Sequence, residues 1–480
     1  MYKKVLVLGG TGAIGSKLIE ILAENNYEVF VTSRKYNVNK LKNVYFIQGN
    51  SLDTNFVKSL MSVKYYAIID FMKYYDMDIF TKNMEVLLSG TKQYIYLSSA
   101  TVYASMEGRI TEETKRLMDV MDEKMISSPY VKNKCLQEDF LNKSGTHNWT
   151  IVRPYISYSE KRLQLGNFEK EDWLYRALKG RTIVLSKEVA SHVTTMTHGQ
   201  DVALAISKLI GNENVLGETI QVMNPQYMKW EDILSIYLKV LEETTARKVN
   251  VLLYDRKDIL RASFDRTCDR MFECKKLKKI YAIDYVKNEV GLTDCLTKFI
   301  TGNGEFLNID WTKQAMMDRL TSEVTLLEEI VEKKDQRLYA LVRWDGYVIN
   351  EELLCENSEI VKWNKRLYEF AEEDWQKIER VLGGEKRIGI YAATLGAKRI
   401  ISAYERMGNS DNISLYDSSE KTWNQYIGKV KIQAPSYLSK ERPDCLLIAN
   451  EKHYNAIYES CRFLEMDGVQ IFSVNNIFGN

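Results

Sequence analysis

Residues 5–18 read VLVLGGTGAIGSKL, and this stretch decides how the N-terminal part of the chain folds. Its first four residues form the short apolar run that is typical of a buried parallel strand. Glycines follow at positions 9, 12 and 15, and residues 13–23 have the apolar periodicity of an amphipathic helix. A strand, a glycine turn and a helix form the first half of a dinucleotide-binding unit.

The glycine turn predicts where a dinucleotide would be held, because backbone without a Cβ can approach a pyrophosphate at the N-terminus of a helix. The expected contacts are Gly9, Thr11, Gly12, Ala13, Ile14 and Gly15. The second predicted strand, residues 28–32, ends at Ser33-Arg34 and lacks the acid that holds a ribose 2′-OH in NAD sites. A hydroxyl and a guanidinium suit a 2′-phosphate, so we expect NADP(H), with NAD(H) as the alternative. Asp70, at the end of the fourth predicted strand, and Lys134 complete the expected cofactor contacts.

Two later segments carry residues suited to proton transfer. Residues 94–97 predict a strand that is followed by Ser99, and residues 129–141 predict a helix. Tyr130 and Lys134 are four residues apart and so share one face of that helix. A free phenol with a pKa near ~10 is a poor base at neutral pH, but a neighbouring ammonium group lowers that pKa. We therefore expect Tyr130 to act as the base, with Ser99 bonding to the same substrate oxygen.

Taken together, residues 1 to about 300 resemble the extended short-chain dehydrogenase/reductases, the NAD-dependent epimerase/dehydratase family. The matching pieces are GGTGAIG at 9–15, YLSSATVY at 96–103, YVKNK at 130–134, Arg153-Pro154 and Asp201-Val202-Ala203. The resemblance implies a Rossmann domain with a smaller substrate lobe, a nucleotide-sugar substrate and a homodimer. It also implies catalysis by Ser99, Tyr130 and Lys134, with Lys134 holding the nicotinamide ribose.

The residues after the predicted catalytic serine bear on the reaction. Dehydratases of the family carry an Asp-Glu pair there, whereas this chain has Ala100-Thr101, which argues against dehydration. SSATVY is closest to the 4-epimerase pattern, while Ser33-Arg34 favours an NADPH-consuming ketoreductase. Both reactions, at C4 of the sugar, stay open, in the biosynthesis of activated sugars or surface polysaccharide. The rival hypothesis is a non-catalytic NADP(H)-binding sensor or scaffold of a glycan-assembly complex.

The segment from residue 155 to residue 198 is expected to supply the substrate lobe. It is rich in arginine, which pairs with phosphate, and in aromatic residues, which stack on a base or a sugar. The expected substrate contacts are Thr101, Arg153, Tyr155, Tyr158, Arg162 and Arg181.

Composition limits the class of protein. The chain has 480 residues, a formal net charge of +1, and 45% hydrophobic and 27% charged residues, which predicts a soluble protein of two or more domains. This charge gives no electrostatic reason to expect a nucleic-acid partner. No apolar run is long enough to span a membrane. Seven dispersed cysteines without a CxxC pair predict reduced thiols, no structural metal and a cytoplasmic location.

The C-terminal part predicts a different structure. Helices are expected over residues 315–333 and 358–382, with a strand-like stretch at 338–344 between them. A second strand-turn-helix begins at KRIGIYAATLGAKRI, but its turn reads Ala392-Ala393-Thr394 where glycines would be expected. We therefore favour a structural, partner-binding or product-handling role for this unit over a second cofactor site. Asp417, after the next strand, is the residue that would hold a ribose if one binds.

The predicted fold class is α/β. We expect a Rossmann doubly wound parallel sheet with a small substrate lobe that begins near residue 155. We also expect a second, smaller Rossmann-like α/β domain at the C-terminus. The predicted boundaries are 1–302 for the dehydrogenase/reductase domain, 303–383 for a mostly helical connection and 384–480 for the C-terminal domain.

Overall fold

Two units make up the chain, residues 1–308 and 309–480. The computed structural model describes residues 3–36, 41–105, 107–256, 258–344, 358–383 and 386–479. The predicted boundary at residue 384 lies outside these ranges, and the helices of the predicted connection belong to the second unit. No helix within the described ranges is long and apolar enough to cross a membrane.

The first unit alternates strands and helices along its N-terminal half. Its strands are β1 (Lys4–Leu8), β2 (Glu28–Ser33), β3 (Val44–Gln48), β4 (Tyr65–Asp70), β5 (Thr91–Leu97), β6 (Arg109–Ile110), β7 (Trp149–Pro154), β8 (Ile156–Tyr158), β9 (Ile183–Ser186), β10 (Val193–His198), β11 (Glu218–Val222), β12 (Tyr227–Lys229), β13 (Val251–Tyr254) and β14 (Met271–Phe272). Its helices are α1 (Ala13–Glu24), α2 (Thr54–Leu60), α3 (Met77–Ser89), α4 (Pro129–Lys143), α5 (Lys170–Leu178), α6 (Lys187–Ser191), α7 (Gly199–Leu209), α8 (Trp230–Thr245), α9 (Lys275–Ile280) and α10 (Asn288–Thr301).

The main sheet of this unit has seven parallel strands in the order β11-β7-β5-β4-β1-β2-β3. Val5, Leu6, Val7 and Leu8 in β1 are fully buried, as expected of a central strand between two helical layers. This confirms the predicted Rossmann doubly wound sheet. The strand order reverses between β1 and β4, so a ligand crevice is expected at the carboxyl ends of these two strands.

A smaller lobe is built from three short sheets with the orders β12-β10-β8, β13-β9 and β14-β6. Its interior is apolar and aromatic, and the rings of Trp173 and Tyr237 stack with centroids 4.5 Å apart. Strand β13 pairs with β9, and the segment that follows β13 runs past the start of helix α4, because residues of both line one cavity. The lobe thus brings residues from far along the chain to the predicted catalytic helix.

The second unit contains its own α/β layer. Its strands are β15 (Ile388–Tyr391), β16 (Ile413–Tyr416), β17 (Tyr426–Ile427), β18 (Val430–Gln433), β19 (Cys445–Ile448) and β20 (Gln470–Ser473). Its helices are α11 (Trp311–Thr321), α12 (Lys333–Arg343), α13 (Ser358–Leu382), α14 (Leu395–Arg406), α15 (Leu438–Glu441), α16 (Tyr454–Cys461) and α17 (Asn475–Phe478). The sheet order is β17-β18-β16-β15-β19-β20, and all its pairs except β17-β18 are parallel. This confirms the predicted Rossmann-like second domain.

Two predictions for the helical part of this unit are wrong. The stretch 338–344 belongs almost entirely to helix α12 and is not a strand. Its short apolar run is compatible with either structure, and packing of Tyr339 against Trp363 decides for the helix. The helix expected over 315–333 ends at Thr321, because Ser322 adopts a left-handed backbone conformation with φ of 59°. Helix α13 has the bounds that its sequence predicts.

Candidate functional site

The glycine turn leaves open backbone at the start of helix α1. A Cβ built on Gly15 would lie 2.4 Å from the carbonyl oxygen of Gly10, so only a hydrogen atom fits where the helix crosses the turn. A Cβ built on Gly12 would meet no atom within 4 Å, and Thr11 beside it is exposed. Gly9 has a φ of 69° and donates its N–H to Thr32. The turn therefore offers the uncovered N–H groups and space that a dinucleotide pyrophosphate requires.

The end of β2 carries the predicted 2′-phosphate contacts. The hydroxyl of Ser33 accepts a hydrogen bond from the backbone N–H of Lys35, at 3.2 Å, which fixes the bend after the strand. Arg34 is exposed, and its carbonyl oxygen accepts from Gln48 at 3.3 Å, so its backbone is anchored. A guanidinium on this anchored bend suits a phosphate group on the adenosine ribose.

The expected contact between Asp70 and the cofactor needs correction. Asp70 is fully buried, and its carboxylate accepts hydrogen bonds from the N–H of Met72 and from the hydroxyls of Tyr74 and Tyr94. These three partners turn the side chain into the protein, away from the crevice. Tyr74 is only four residues from Asp70, but Tyr94 is on the next strand of the sheet, and its approach to Asp70 could not be predicted from the sequence.

The predicted catalytic residues converge beside the carboxyl end of β5. Ser99 caps a short 3₁₀ turn, and its oxygen accepts from the hydroxyl of Thr101 at 2.9 Å. Helix α4 begins at Pro129 under a cap from Ser128, which places partly buried Tyr130 in its first turn. Burial raises the pKa of Tyr130, while its hydrogen bond with Ser99 lowers it. Ser99 is thus close enough to Tyr130 to lower its pKa, as a shared role at one substrate oxygen requires.

Lys134 lies one helical turn further along α4 and is buried. Its Nζ donates to the hydroxyl of Tyr96 at 2.9 Å and to the carbonyl oxygen of Leu97 at 2.7 Å. It lies 5.9 Å from the centre of the Tyr130 ring. Burial lowers the pKa of Lys134 to about 8, against the opposing effect of nearby carboxylates. An ammonium group near a phenol favours the phenolate in general, and the charge that lowers the pKa of Tyr130 in this structure is that of Arg162.

A cavity of about 900 Å³ opens beside Tyr130. Thr101 and Tyr130 line one side, and the segment after β13 contributes Arg256, Arg261 and Arg266. The volume lies within the range of pockets that bind small molecules. A tyrosine and a serine at one wall and guanidinium groups at another can hold a substrate that carries both a hydroxyl and phosphate charge.

These three arginines were not among the substrate contacts predicted from the sequence. They recur every five residues in RKDILRASFDR, residues 256–266, and this spacing was the available signal. Arg266 is the buried one, and its guanidinium donates to the carbonyl oxygen of Gly166 and to the hydroxyl of Tyr155. Arg256 forms an ion pair with Asp258 at 2.5 Å. Arg261 is exposed on the cavity.

Several residues predicted to bind substrate lie elsewhere. Arg153 is buried in an ion pair with Glu138, with its guanidinium carbon 4.7 Å from the centre of the Tyr103 ring. Tyr158 is fully buried and donates to Asn288 at 3.2 Å. Both side chains therefore stabilise the protein interior. A buried guanidinium needs a carboxylate more than it needs a ligand, and that partner could not be read from the sequence.

The remaining predicted contacts differ in their distance from the cavity. Tyr155 is buried behind the cavity wall, where it supports Arg266. Arg181 is buried against the ring of Tyr175 and does not line the cavity. Arg162 pairs with Glu169 at 3.0 Å, yet its charge still lowers the pKa of Tyr130. Of the predicted set, Thr101 alone lines the cavity directly.

In the second unit, side-chain hydrogen bonds span the corresponding crevice, at the carboxyl ends of β15 and β19. The carboxylate of Asp417 accepts from the N–H groups of Ala393 and Ser419, both at 2.8 Å. The hydroxyl of Thr394 donates to the carbonyl oxygen of Ala449 at 2.6 Å, joining the ends of β15 and β19. Asp417 therefore holds its own turn in place. Across both units, no group of three metal-ligating side chains was found among the described residues.

The N-terminal part of the chain is similar to a known protein family. Residues 5–222 match the NAD dependent epimerase/dehydratase family. An Arabidopsis thaliana protein, chloroplast stem-loop binding protein of 41 kDa b, is 26% identical over 249 residues. That match covers 48% of this chain and 61% of the relative, so the chain spans less than two thirds of the curated protein it matches.

Solved structures share the fold at low identity. Epimerase Mth375 from Methanothermobacter thermautotrophicus has a TM-score of 0.50 and 20% identity, over 63% of this chain and 93% of its own. UDP-glucuronic acid 4-epimerase from Bacillus cereus, in complex with UDP-glucuronic acid and NAD, has a TM-score of 0.50 and 16% identity, over 62% and 99%. At this identity the likeness concerns the fold. Residues 5–222 of this chain are therefore similar in sequence to the NAD dependent epimerase/dehydratase family, and the solved structures share the fold of the unit that contains them.

Proposed function

We propose that the first unit is an NAD(P)-dependent epimerase or ketoreductase that acts at C4 of a nucleotide sugar. The observation that carries the proposal is that Tyr130 lines the large cavity while Ser99, beside it, acts on its pKa. Lys134 lies behind the phenol, where its charge favours the phenolate. A protein that had lost catalytic activity would have no physical reason to keep these three residues in this arrangement.

The residues around the glycine turn fit a nicotinamide dinucleotide. Gly12 leaves open space at the N-terminus of α1, and the buried Lys134 has an N–H beyond its two internal bonds for a ribose hydroxyl. When bound, the nicotinamide accepts or returns a hydride at the reacting carbon. Arg34 favours a 2′-phosphate, so we propose NADP(H) as the preferred form. Changing Arg34 to Asp is then expected to weaken NADPH binding far more than NADH binding.

The chain's own residues perform the proton transfer. Tyr130, as phenolate, takes the proton from the sugar hydroxyl when the carbon is oxidised, and returns it when the carbonyl is reduced. Ser99 donates a hydrogen bond to the same oxygen. Both directions use the same atoms, so the site supports an epimerase and a reductase equally well.

An exposed arginine of the cavity would hold the diphosphate of the substrate. Arg266 is buried, bonded to Gly166 and Tyr155 and paired with Asp265, so it supports the cavity wall and leaves the phosphate to a more exposed arginine. Arg261 is exposed on the cavity and can pair with phosphate oxygens. The lining also contains Glu188, Asp255 and Asp265, so Arg261 is the residue that we expect to attract the negative charge of a nucleoside diphosphate. The Bacillus cereus structure of the same fold is a complex with UDP-glucuronic acid, which makes this compound a suitable first substrate to test.

The decisive experiment is Tyr130→Phe. We expect turnover of UDP-glucuronic acid or UDP-glucose to fall by roughly 10²–10⁴-fold, the usual contribution of a positioned acid-base group. NADPH binding, followed by its fluorescence, is expected to persist. Tyr45→Phe, at a half-exposed tyrosine on β3, is the matched control and should keep full activity. Full activity in Tyr130→Phe would contradict the proposed mechanism.

Denaturing the purified protein and identifying released nucleotide by mass spectrometry separates the two reactions. Tightly held oxidised NAD(P) indicates that the cofactor is recycled in each turnover, as in an epimerase. Protein that is purified without bound nucleotide and then binds NADPH reversibly indicates a reductase. Failure to bind either nucleotide favours the non-catalytic scaffold.

A second candidate function is binding of a nucleic-acid stem-loop. The curated relative is named for this property, and helix α9 presents the basic sequence KKLKKI. Lys275, Lys278 and Lys279 are exposed on it. If the candidate is correct, a labelled RNA hairpin binds with steep salt dependence, and reversing these three charges to Glu weakens it. Salt-independent or absent binding removes this candidate.

A further inference from the structure

A buried carboxylate lies behind the proposed active site. Asp70 ends β4, at the point where the order of the main sheet reverses, and is fully buried. Two phenols and one backbone N–H bond to it, but none of these partners carries a positive charge. Burial of a carboxylate without a balancing charge costs free energy, so a cation is expected near Asp70.

Lys134 is the cation that Asp70 faces. The two charges act on one another: Lys134 lowers the pKa of Asp70 against the larger effect of burial, and Asp70 raises that of Lys134. Glu138, the other nearby carboxylate, is already paired with Arg153 and Arg116. Asp70 is therefore the acid whose charge is left to balance the lysine.

Hydrogen bonds on both sides of Tyr74, one to its backbone and one from its side chain, connect the two groups. Lys134 donates to the hydroxyl of Tyr96, which in turn donates to Gln137. Gln137 donates its amide N–H to the carbonyl oxygen of Tyr74, at 2.9 Å. The hydroxyl of Tyr74 donates a hydrogen bond to the carboxylate of Asp70, also at 2.9 Å. Strand β4, strand β5 and helix α4 thus share one polar network around the lysine.

We propose that Asp70 is a positioning residue that keeps Lys134 charged and fixed against Tyr96, behind the base Tyr130. This inference rests on the proposed function, because it concerns how that base is activated. Tyr94, which donates to Asp70 at 2.8 Å, and Tyr74 hold the carboxylate in place. The role replaces the direct cofactor contact expected from the sequence.

The consequence for pH follows from the direction of each effect. Burial lowers the pKa of Lys134 to about 8 even though Asp70 opposes the shift. Removing the carboxylate removes that opposition, so the lysine loses its proton at lower pH. The other ionisable groups facing it are Glu138, Tyr96 and Tyr130, with Lys73 as the neighbouring like charge. A neutral amine donates more weakly to a ribose hydroxyl, and it no longer stabilises the phenolate.

Asp70→Asn tests the inference because it removes the charge and keeps the shape. NADPH affinity is measured by fluorescence from about pH 6 to about pH 9, and turnover is measured over the same range. In the wild type we expect both to decline as pH rises through about 8. In the variant this decline should begin about one pH unit lower, which lowers the charged fraction of Lys134 near pH 8 and so weakens affinity there roughly fivefold. Affinity near pH 6 should change little.

Asp201→Asn is the matched control. Asp201 is another buried carboxylate of the same unit, and it accepts from the N–H of Val286 at 3.0 Å. Its substitution should leave the pH profile of the wild type in place. If Asp70→Asn does not fold, Tyr94→Phe removes one support of the carboxylate and should shift the decline in the same direction by a smaller amount.

The outcomes separate the two proposals. An alkaline decline that is the same in Asp70→Asn and in the wild type overturns the inference alone. A uniform loss of affinity at every pH also overturns it, because it indicates a merely structural role. Wild-type protein that binds neither NADPH nor NADH at any pH overturns the proposed function together with the inference.

Discussion

The two units build the same strand-turn-helix at the centre of their sheets and use it differently. In the first unit the turn is glycine, Gly12 faces open space and Gly15 lets the helix cross at close range. In the second unit Ala392 stands in the turn with a φ of 81°, and Thr394 ties it to the neighbouring strand end. One turn leaves its backbone uncovered, and the other covers it with its own side chains.

This difference shows that fold and site are separable. Both sheets place the turn beside the point where the strand order reverses, between β1 and β4 and between β15 and β19. The position favours a ligand in each. Whether a ligand can approach depends on a few side chains at the turn, and function therefore belongs to the site. Four substitutions test the contrast.

The largest effect is expected from Gly15→Ala. The new Cβ would meet the backbone of Gly10, which cannot rotate away as a side chain could. Overpacking of this kind costs about 3 kcal/mol of unfolding free energy. Urea unfolding of the full chain measures it, and an unchanged midpoint would show that the helix and turn can separate.

Gly12→Ala should weaken the cofactor without weakening the fold. The added methyl group meets no protein atom within 4 Å, so the urea midpoint should match the wild type. If a pyrophosphate lies there, NADPH affinity falls about tenfold, or about 1.4 kcal/mol. Equal affinity in the variant and the wild type would place the cofactor away from this turn.

Thr394→Val tests whether the second turn is held by its side chain. The change removes the hydrogen bond to Ala449 and the cap on the N–H of Ala397, while the shape is kept. We expect a loss of about 1 kcal/mol in the unfolding free energy. NADPH affinity, measured in parallel, should not change, and a change would assign this crevice a cofactor after all.

The smallest effect is expected from Ala392→Gly, and its sign is favourable. A left-handed backbone strains alanine and suits glycine, so the variant should gain roughly 0.5 kcal/mol of unfolding free energy. Gly408→Ala, at a glycine with a φ of 77° and open space around it, is the inverse control and should be destabilising. A destabilised Ala392→Gly would mean that the buried methyl group matters more than the strain.

Local patterns in the sequence predicted much of the first unit. The glycine spacing, the strand that precedes Ser99 and the helix that carries Tyr130 all lie where they were expected, because each depends on neighbours within a few residues. The prediction of a strand at 338–344 was wrong because local pattern alone did not decide the structure there. Its local pattern fits two structures, and contact with Trp363 chose between them.

By itself, then, the sequence determined the class of fold and the local elements that carry the glycine turn, Ser99 and Tyr130, since these follow from short-range spacing. Only the tertiary structure decided which charges face a ligand. Arg153 turned inward to Glu138, Asp70 turned inward to Tyr74 and Tyr94, and Arg261 came to line the cavity. The physical reason is that a charge is placed by the partners that compensate its burial, and partners such as Glu138 and Tyr94 come from other strands or helices.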